Sequence, residues 1–195
     1  MDAKTELITK EEWDKIVKTI PGAEIFYSYD WLQTIEENTK AKFYPLRISD
    51  GGNTIALFPF FLEKIYGIKA IFSPPRKVGI PYLGYLLLDR SGKQHKKETI
   101  NKILIKEFME YTKSLKASYM LLQLHPDVQD VRHFKWNDML CSPNYTYIVN
   151  LERSLENIFE SFKTELKKRI KKAEKSNLTF KPGNETEMMN VFDSY

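Results

Sequence analysis

The chain has 195 residues, with 30 Lys and Arg against 26 Asp and Glu for a formal net charge of +4. That length suits one core domain, or one and part of another, and the near balance of charge excludes a protein that coats polyanions by bulk charge alone. A lone cysteine, Cys141, excludes an internal disulfide framework and fits a reducing compartment.

The opening "MDAKTELITKEEW" lacks the apolar core of a signal peptide. Thr9 and Glu12 have capping-box spacing, and Trp13, Ile16, Val17 and Ile20 follow at helical intervals. Pro21 and Gly22 end that helix. Ser28 is the N-cap expected for a second, carrying Trp31, Leu32 and Ile35. "KFYPLRIS" and "TIALFPFFLEKIYG" flank Gly51-Gly52 and predict a β-hairpin. "AIFSPP" and "YLGYLLLD" predict two further strands, joined by the Pro- and Gly-rich loop "PPRKVGIPYLG".

The longest predicted helix runs from Lys96 to Lys116, with Ile100, Ile103, Leu104, Phe108, Tyr111 and Leu115 on its apolar face. "SYMLLQL" follows as a buried strand, so this helix reads as a crossover packed on a sheet. "HPDVQDVRHFKWNDMLCSPN" is a polar connector anchored by Trp136, and "YTYIVNL" is the next strand. Ser154 caps a helical segment reaching Ser176, "NLTFKP" is a short strand, and Asn184 caps a last helix. No apolar run is long enough to span a bilayer, so a cytoplasmic protein is expected, with any membrane role confined to its surface.

Between Ser154 and Ser176, Leu155, Ile158, Phe159, Phe162, Leu166, Ile170 and Ala173 have the spacing of one helical stripe. Lys163, Lys167, Lys168, Lys171, Lys172 and Lys175 fall on the opposite side, and Arg169 near the stripe's edge. The expectation is a helix docked by its apolar side with its cations in solvent. The alternative is a binding module that offers this one-sign face to an anionic partner, RNA or an anionic lipid. Surface apolar patches would also allow two copies to pair as a homo-oligomer.

The order of these pieces resembles the Fem-type peptidoglycan aminoacyltransferases and their relatives in the GNAT acyltransferase superfamily. The resemblance rests on Phe134 and Trp136, on Tyr145-Thr146-Tyr147 with Leu151, and on Arg169-Ile170 with Ala173. "FYSYDWLQTI", "IALFPFFLEK" and "GIPYLGYLLLD" are similar to the family's opening helix, hydrophobic-Pro strand, and Gly-rich loop and strand. It implies an α+β fold, a GNAT-like twisted mixed sheet flanked by helices in three αβα layers. Residues 1–144 would form the N-terminal GNAT-like domain, and 145–195 the opening strand and helices of an incomplete second one.

The activity implied is N-acyl transfer of an aminoacyl or acyl group to an amine, with little or none in this chain alone. The donor would be aminoacyl-tRNA or acyl-CoA, and the acceptor a small molecule or cell-wall precursor. The superfamily's cofactor loop, Gln or Arg then x-x-Gly-x-Gly or Ala, is missing, and "GIPYLG" does not match it. No tightly bound cofactor is therefore expected.

Four residues are candidate substrate contacts, while no catalytic residue is assigned. Asp89 occupies the place of the family's acidic residue, although Tyr85 replaces a proline and the spacing is longer; it also reads as a strand-end Asp opening the turn "DRSG". Arg76 and Lys77 could hold a phosphate or carboxylate, or simply sit in a solvated loop. Tyr82 could line a pocket or pack beneath the loop. His125, Asp127, Asp130 and His133 form the one string with metal-ligand chemistry, but Pro126 breaks the helical geometry a shared ligand face would need. No metal is assigned.

Overall fold

Period-two alternation builds the sheet. In the computed structural model, which describes residues 2–21, 23–88, 93–176 and 181–193, strands β2 (Lys42–Asp50) and β3 (Asn53–Ile65) pair antiparallel. Gly51 and Gly52 join them with φ of 55° and 78°, two consecutive left-handed residues, as a tight hairpin requires. Tyr44, Leu46 and Ile48 of β2 lie with Ala56, Phe58 and Phe60 of β3 in one core cluster, while Phe43 lies with Leu57 and Phe61 in another. Apolar residues on both faces require cover on both.

Helices supply it. α1 (Lys10–Val17) and α2 (Tyr29–Asn38) bring Trp13, Leu32 and Ile35 to the Phe43 side. α3 (Gln94–Ser114) brings Leu104, Ile105 and Phe108 to the other. The result is the expected α+β arrangement, a mixed sheet between two helical layers. Thr9 and Glu12 form the reciprocal capping box at α1, and Ser28 accepts the Trp31 N–H at the start of α2.

Among the described residues the sheet holds six strands, five in the order β1-β2-β3-β4-β6 and the sixth, β5, pairing β3 off that path. β1 (Ala3–Leu7), an antiparallel edge strand on β2, is absent from the sequence reading because five partly polar residues carry too little alternation. β4 (Ile68–Ser73) is antiparallel to β3. β5 is only Leu86–Leu87, pairing β3 at Ala56 and Leu57, so most of "YLGYLLLD" is not strand. β6 (Tyr119–Leu122) runs parallel to β4. A short helix α4 (Arg132–Lys135) follows in the connector.

By its internal contacts the chain divides into two units, Met1–Ser142 and Pro143–Tyr195. The elements above belong to the first. The second contains α5 (Leu155–Ser161), α6 (Thr164–Glu174) and α7 (Glu185–Asp193). Asn184 caps α7 reciprocally with Glu187, as its sequence implies.

Two expectations for the second unit are corrected. Residues 145–151 form no strand, because among the described residues no strand takes up their backbone groups; Tyr147 is 98% exposed and Ile148 81%. The helix expected from Ser154 to Ser176 is broken, since Phe162 and Lys163 take extended backbone with ψ near 147°. The stripe is only partly covered, with Ile158 alone of its described residues buried, at 9%. α6 has no buried residue, Leu166 is 43% exposed, and Phe159, Phe162 and Ile170 are only half-buried. "NLTF" falls outside the described residues.

Candidate functional site

A cleft of about 640 Å³ opens in the first unit beside the start of α3. Gln94, Lys97 and Asn101 line it from one face of the helix, as their i, i+3, i+7 spacing dictates. Tyr85 and Leu87 enter from β5 and the turn before it, and His125 and residues 127–132 from the connector. Leu87, Ile100, Val128 and Val131 give it an apolar floor under a polar rim, the usual build of a small-ligand site.

One wall is an ion-paired clamp. Arg132 donates from Nε to Asp130 Oδ1 at 2.9 Å and from Nη2 to Asp130 Oδ2 and to Glu98 Oε1, both at 2.7 Å. Glu98 stands on α3 and Arg132 opens α4, so the clamp fixes the connector to the helix. The Arg132 hydrogen bonds hold Asp130 down to about 2 and Glu98 below its usual range, and the two carboxylates in turn raise Arg132.

Beside this spent charge lie unspent hydrogen-bonding groups. Tyr85 is 3% exposed, and its hydroxyl has no partner among the described residues. Burial, with the Asp130 charge behind it, pushes that phenol far above its ordinary value and keeps it a neutral donor. Asn101 Oδ1 is a buried acceptor with no partner among the described residues. Buried polar atoms without partners are rare, so the open Asn101 acceptor, in the same cleft as the Tyr85 ring, marks a place for a ligand. The Lys97 ammonium makes no hydrogen bond or ion pair among the described residues.

The sequence candidates are scattered. The Tyr82 hydroxyl donates to Glu24 Oε1 at 2.8 Å, and its ring meets His125 edge-on at 5.1 Å; burial first, then the Glu24 bond, raises its pKa. Through His125, Tyr82 backs onto the cleft. Arg76 lies elsewhere, over the Phe72 ring at 5.3 Å and 3.5 Å from the Glu63 carboxylate. It edges a shallow apolar hollow with Ile65, Ile68, Tyr119 and Leu121. Lys77 is exposed, with φ of 63°. Asp89 lies outside the described residues.

Tyr85, Asn101 and the Asp130–Arg132 clamp were not singled out as binding residues by the sequence. Asn101 offered the one signal, an amide set next to the apolar stripe of α3. The residues of the His125 to His133 string have separate engagements. His125 Nδ1 accepts the Asp127 N–H at 3.2 Å, Asp130 serves Arg132, and His133 is buried edge-on against Trp136 at 4.8 Å. Burial lowers the His133 pKa. Among the described residues no group of three or more such side chains could hold a metal ion.

An extended acyl donor could insert where parallel strands part and leave backbone groups open. Here the space past the ends of β4 and β6 is filled by the chain itself. Leu83 is fully buried, bridges Leu124 in parallel, and donates its N–H to Gln123 O at 2.8 Å. The Gly84 N–H donates to Ser73 Oγ at 3.0 Å, and Ser73 Oγ donates to Pro59 O at 2.6 Å. The described residues of this unit therefore do not fit a thioester donor laid between these strands.

No protein-family model matches the chain, and no curated protein does. Among solved structures, a ribosomal-protein-alanine N-acetyltransferase from Brucella melitensis biovar Abortus superposes with a TM-score of 0.44 at 13% identity, over 77% of this chain and 100% of that one. A glucosamine-6-phosphate N-acetyltransferase from Arabidopsis thaliana gives 0.44 at 12%, over 77% and 100%. A GNAT family acetyltransferase from Staphylococcus aureus gives 0.43 at 12%, over 76% and 100%. Superpositions at this level assign neither a family nor an activity to the chain.

Proposed function

We propose that this chain is the acceptor-binding part of a Fem-like N-acyltransferase, which passes an aminoacyl or acyl group to an amine. The observation that carries the reading is the cleft beside α3, with its unspent Tyr85 donor and Asn101 acceptor. It is supported by the sequence resemblance and by the element order, in which the antiparallel β2-β3-β4 run passes through α3 to a strand parallel with β4.

Aminolysis of an activated acyl group needs an amine held near the acyl carbon, a place for its proton, and charge stabilisation on the carbonyl oxygen. The first unit is suited to the first requirement only. Tyr85 and Asn101 would orient the acceptor's polar groups, and the Arg132 clamp would keep the connector from shifting as the acceptor enters. In this reading, with the space past the ends of β4 and β6 filled by the chain itself, the donor would be held by other residues and the chain alone would transfer little or nothing.

The test titrates the purified chain with a short lysine-containing peptide and, separately, with acetyl-CoA, by calorimetry. The peptide is expected to bind, and Tyr85→Phe to weaken it about tenfold, the loss of one well-placed hydrogen bond. Acetyl-CoA is expected to give no heat. Failure of the peptide to bind sinks the acceptor reading. Rapid acyl transfer by the 195-residue chain sinks the division of labour.

A further inference from the structure

We infer that α6, with the half-bare residues before it, is an interfacial helix that seats the second unit on an anionic lipid surface. Lys163, Lys168, Lys171, Lys172 and Lys175 make no hydrogen bond or ion pair among the described residues. Two acids stand among them. Glu165 is already paired with Arg169, and Glu174 lies at the helix end. Five unneutralised ammonium groups on eleven helical residues and their flanks attract an anionic surface strongly.

The apolar side of the same helix decides what kind of surface. Leu166 is 43% exposed, Ile170 follows one turn later, and neither is buried. Phe159 and Phe162 precede them, edge-on to each other at 6.4 Å and half-buried. A helix in water ordinarily hides such a row against a core. A helix that keeps a lysine face and a bare apolar stripe side by side satisfies both at the boundary of a bilayer, where the stripe sinks below the headgroups and the lysine stems snorkel up to them.

RNA fits less well. Its phosphates would meet the lysines, but Leu166 and Ile170 give bases no flat ring to stack on, and the Phe159 ring already carries Lys167 Nζ at 5.8 Å. An anionic lipid satisfies both faces at once. No helix among the described residues is long and apolar enough to cross a membrane, so contact would be with one leaflet only.

The experiment is co-sedimentation of the full chain with vesicles of one part phosphatidylglycerol to two parts phosphatidylcholine, and with vesicles of phosphatidylcholine alone. Binding to the first and not the second is expected, falling as salt rises. Exchanging Lys168, Lys171 and Lys172 for Glu should lower binding at least about a hundredfold. Leu166→Asp should lower it about tenfold or more, with the helical circular dichroism of both variants unchanged. Equal binding to the two vesicle types overturns the inference, as does a Leu166→Asp variant that binds like wild type. Tighter binding to poly(U) than to the anionic vesicles overturns it in favour of RNA.

Discussion

The Tyr27 hydroxyl donates to the carbonyl oxygen of Leu83, across 56 residues of sequence. Tyr27 and Leu83 are both fully buried, and this bond ties the turn before α2 to the segment lying past the ends of β4 and β6. The Trp13 indole N–H in turn donates to Tyr27 O at 2.7 Å, so α1 joins the same chain of bonds. The Pro- and Gly-rich loop is therefore anchored at its far end, where the strands separate and the cleft begins.

Tyr27→Phe leaves the Leu83 carbonyl buried without its partner and should cost about 1–3 kcal/mol. Gly84→Ala should cost about 2 kcal/mol or more, for two reasons. Gly84 has φ of 71°, and a Cβ there would lie 2.9 Å from Leu124 Cδ2 and 3.1 Å from the Leu124 Cα, which cannot swing away. Urea denaturation followed by tryptophan fluorescence reads both, because Trp13, Trp31 and Trp136 all lie in the first unit. A Tyr27→Phe midpoint equal to wild type would show that the bond does not hold the loop.

Acid should loosen the wall of the cleft in two steps. Burial lowers the folded pKa of His133, so the unfolded chain binds its proton first. Its stability contribution is full above the unfolded value near 6.5 and fades as pH falls through the folded value. The folded pKa of Asp130 is about 2, against roughly 3.9 unfolded, so its contribution is full above pH ~4 and is lost between there and ~2. Arg132 is half in solvent, which screens the pair, so that loss is on the order of 1 kcal/mol. Asp130→Asn should flatten the stability profile between pH ~4 and ~2 and, because the Asp130 charge raises the His133 pKa, extend the His133 step to lower pH. Denaturant midpoints measured across pH 2 to 8 check both windows.

How much could be read from the chain follows from where each signal resides. The hairpin was legible because Gly51-Gly52 and the Phe and Leu alternation around it are local. So were the Thr9–Glu12, Ser28 and Asn184 caps. β1 was not, because Ala3–Leu7 owes its place to the Arg47 ion pair with Glu6 and to the free edge of β2, neither of which is local. The pattern of residues 145–151 predicts a strand that the structure does not form, because pattern alone supplies no neighbour. Neither does the stripe of α6, where the extended backbone at Phe162 and Lys163 interrupts what looked like one helix. The cleft was hidden for the same reason. Tyr85 and Asn101 become a pair only once β5 and α3 pack against the same connector. Arg76, conspicuous as a charge, meets Glu63 and Phe72, while Tyr82 meets Glu24 and His125.

Two aromatic substitutions on the α3 side should behave in opposite ways. Phe58 and Phe108 are fully buried and stacked, with centroids 3.8 Å apart and planes 5° off parallel. Phe108→Ala should cost about 3–5 kcal/mol, because the cavity opens between α3 and the sheet. Tyr85→Phe keeps the ring, which packs against Phe58 and Phe134, and removes a hydroxyl that bonds nothing among the described residues. It should change stability by less than about 0.5 kcal/mol. A large loss there, read in the same urea experiment, would mean that the hydroxyl has a protein partner and is not reserved for a ligand.

The N-terminus of α6 is uncapped, with Lys163 at the N-cap position and no side-chain hydrogen bond to the first turn. Its ammonium also stands at the positive end of the helix dipole. Lys163 already has extended backbone, with φ −58° and ψ 147°, close to the geometry an N-cap needs. Lys163→Asp should therefore place a carboxylate where it can accept the N–H two or three residues on, adding about 1 kcal/mol to the helix. Hydrogen exchange of the α6 amides should slow about fivefold as a result, with those of α3 unchanged as the internal control. If α6 exchange does not slow, either Lys163 is not at the helix boundary or the first turn of α6 is already satisfied by another group.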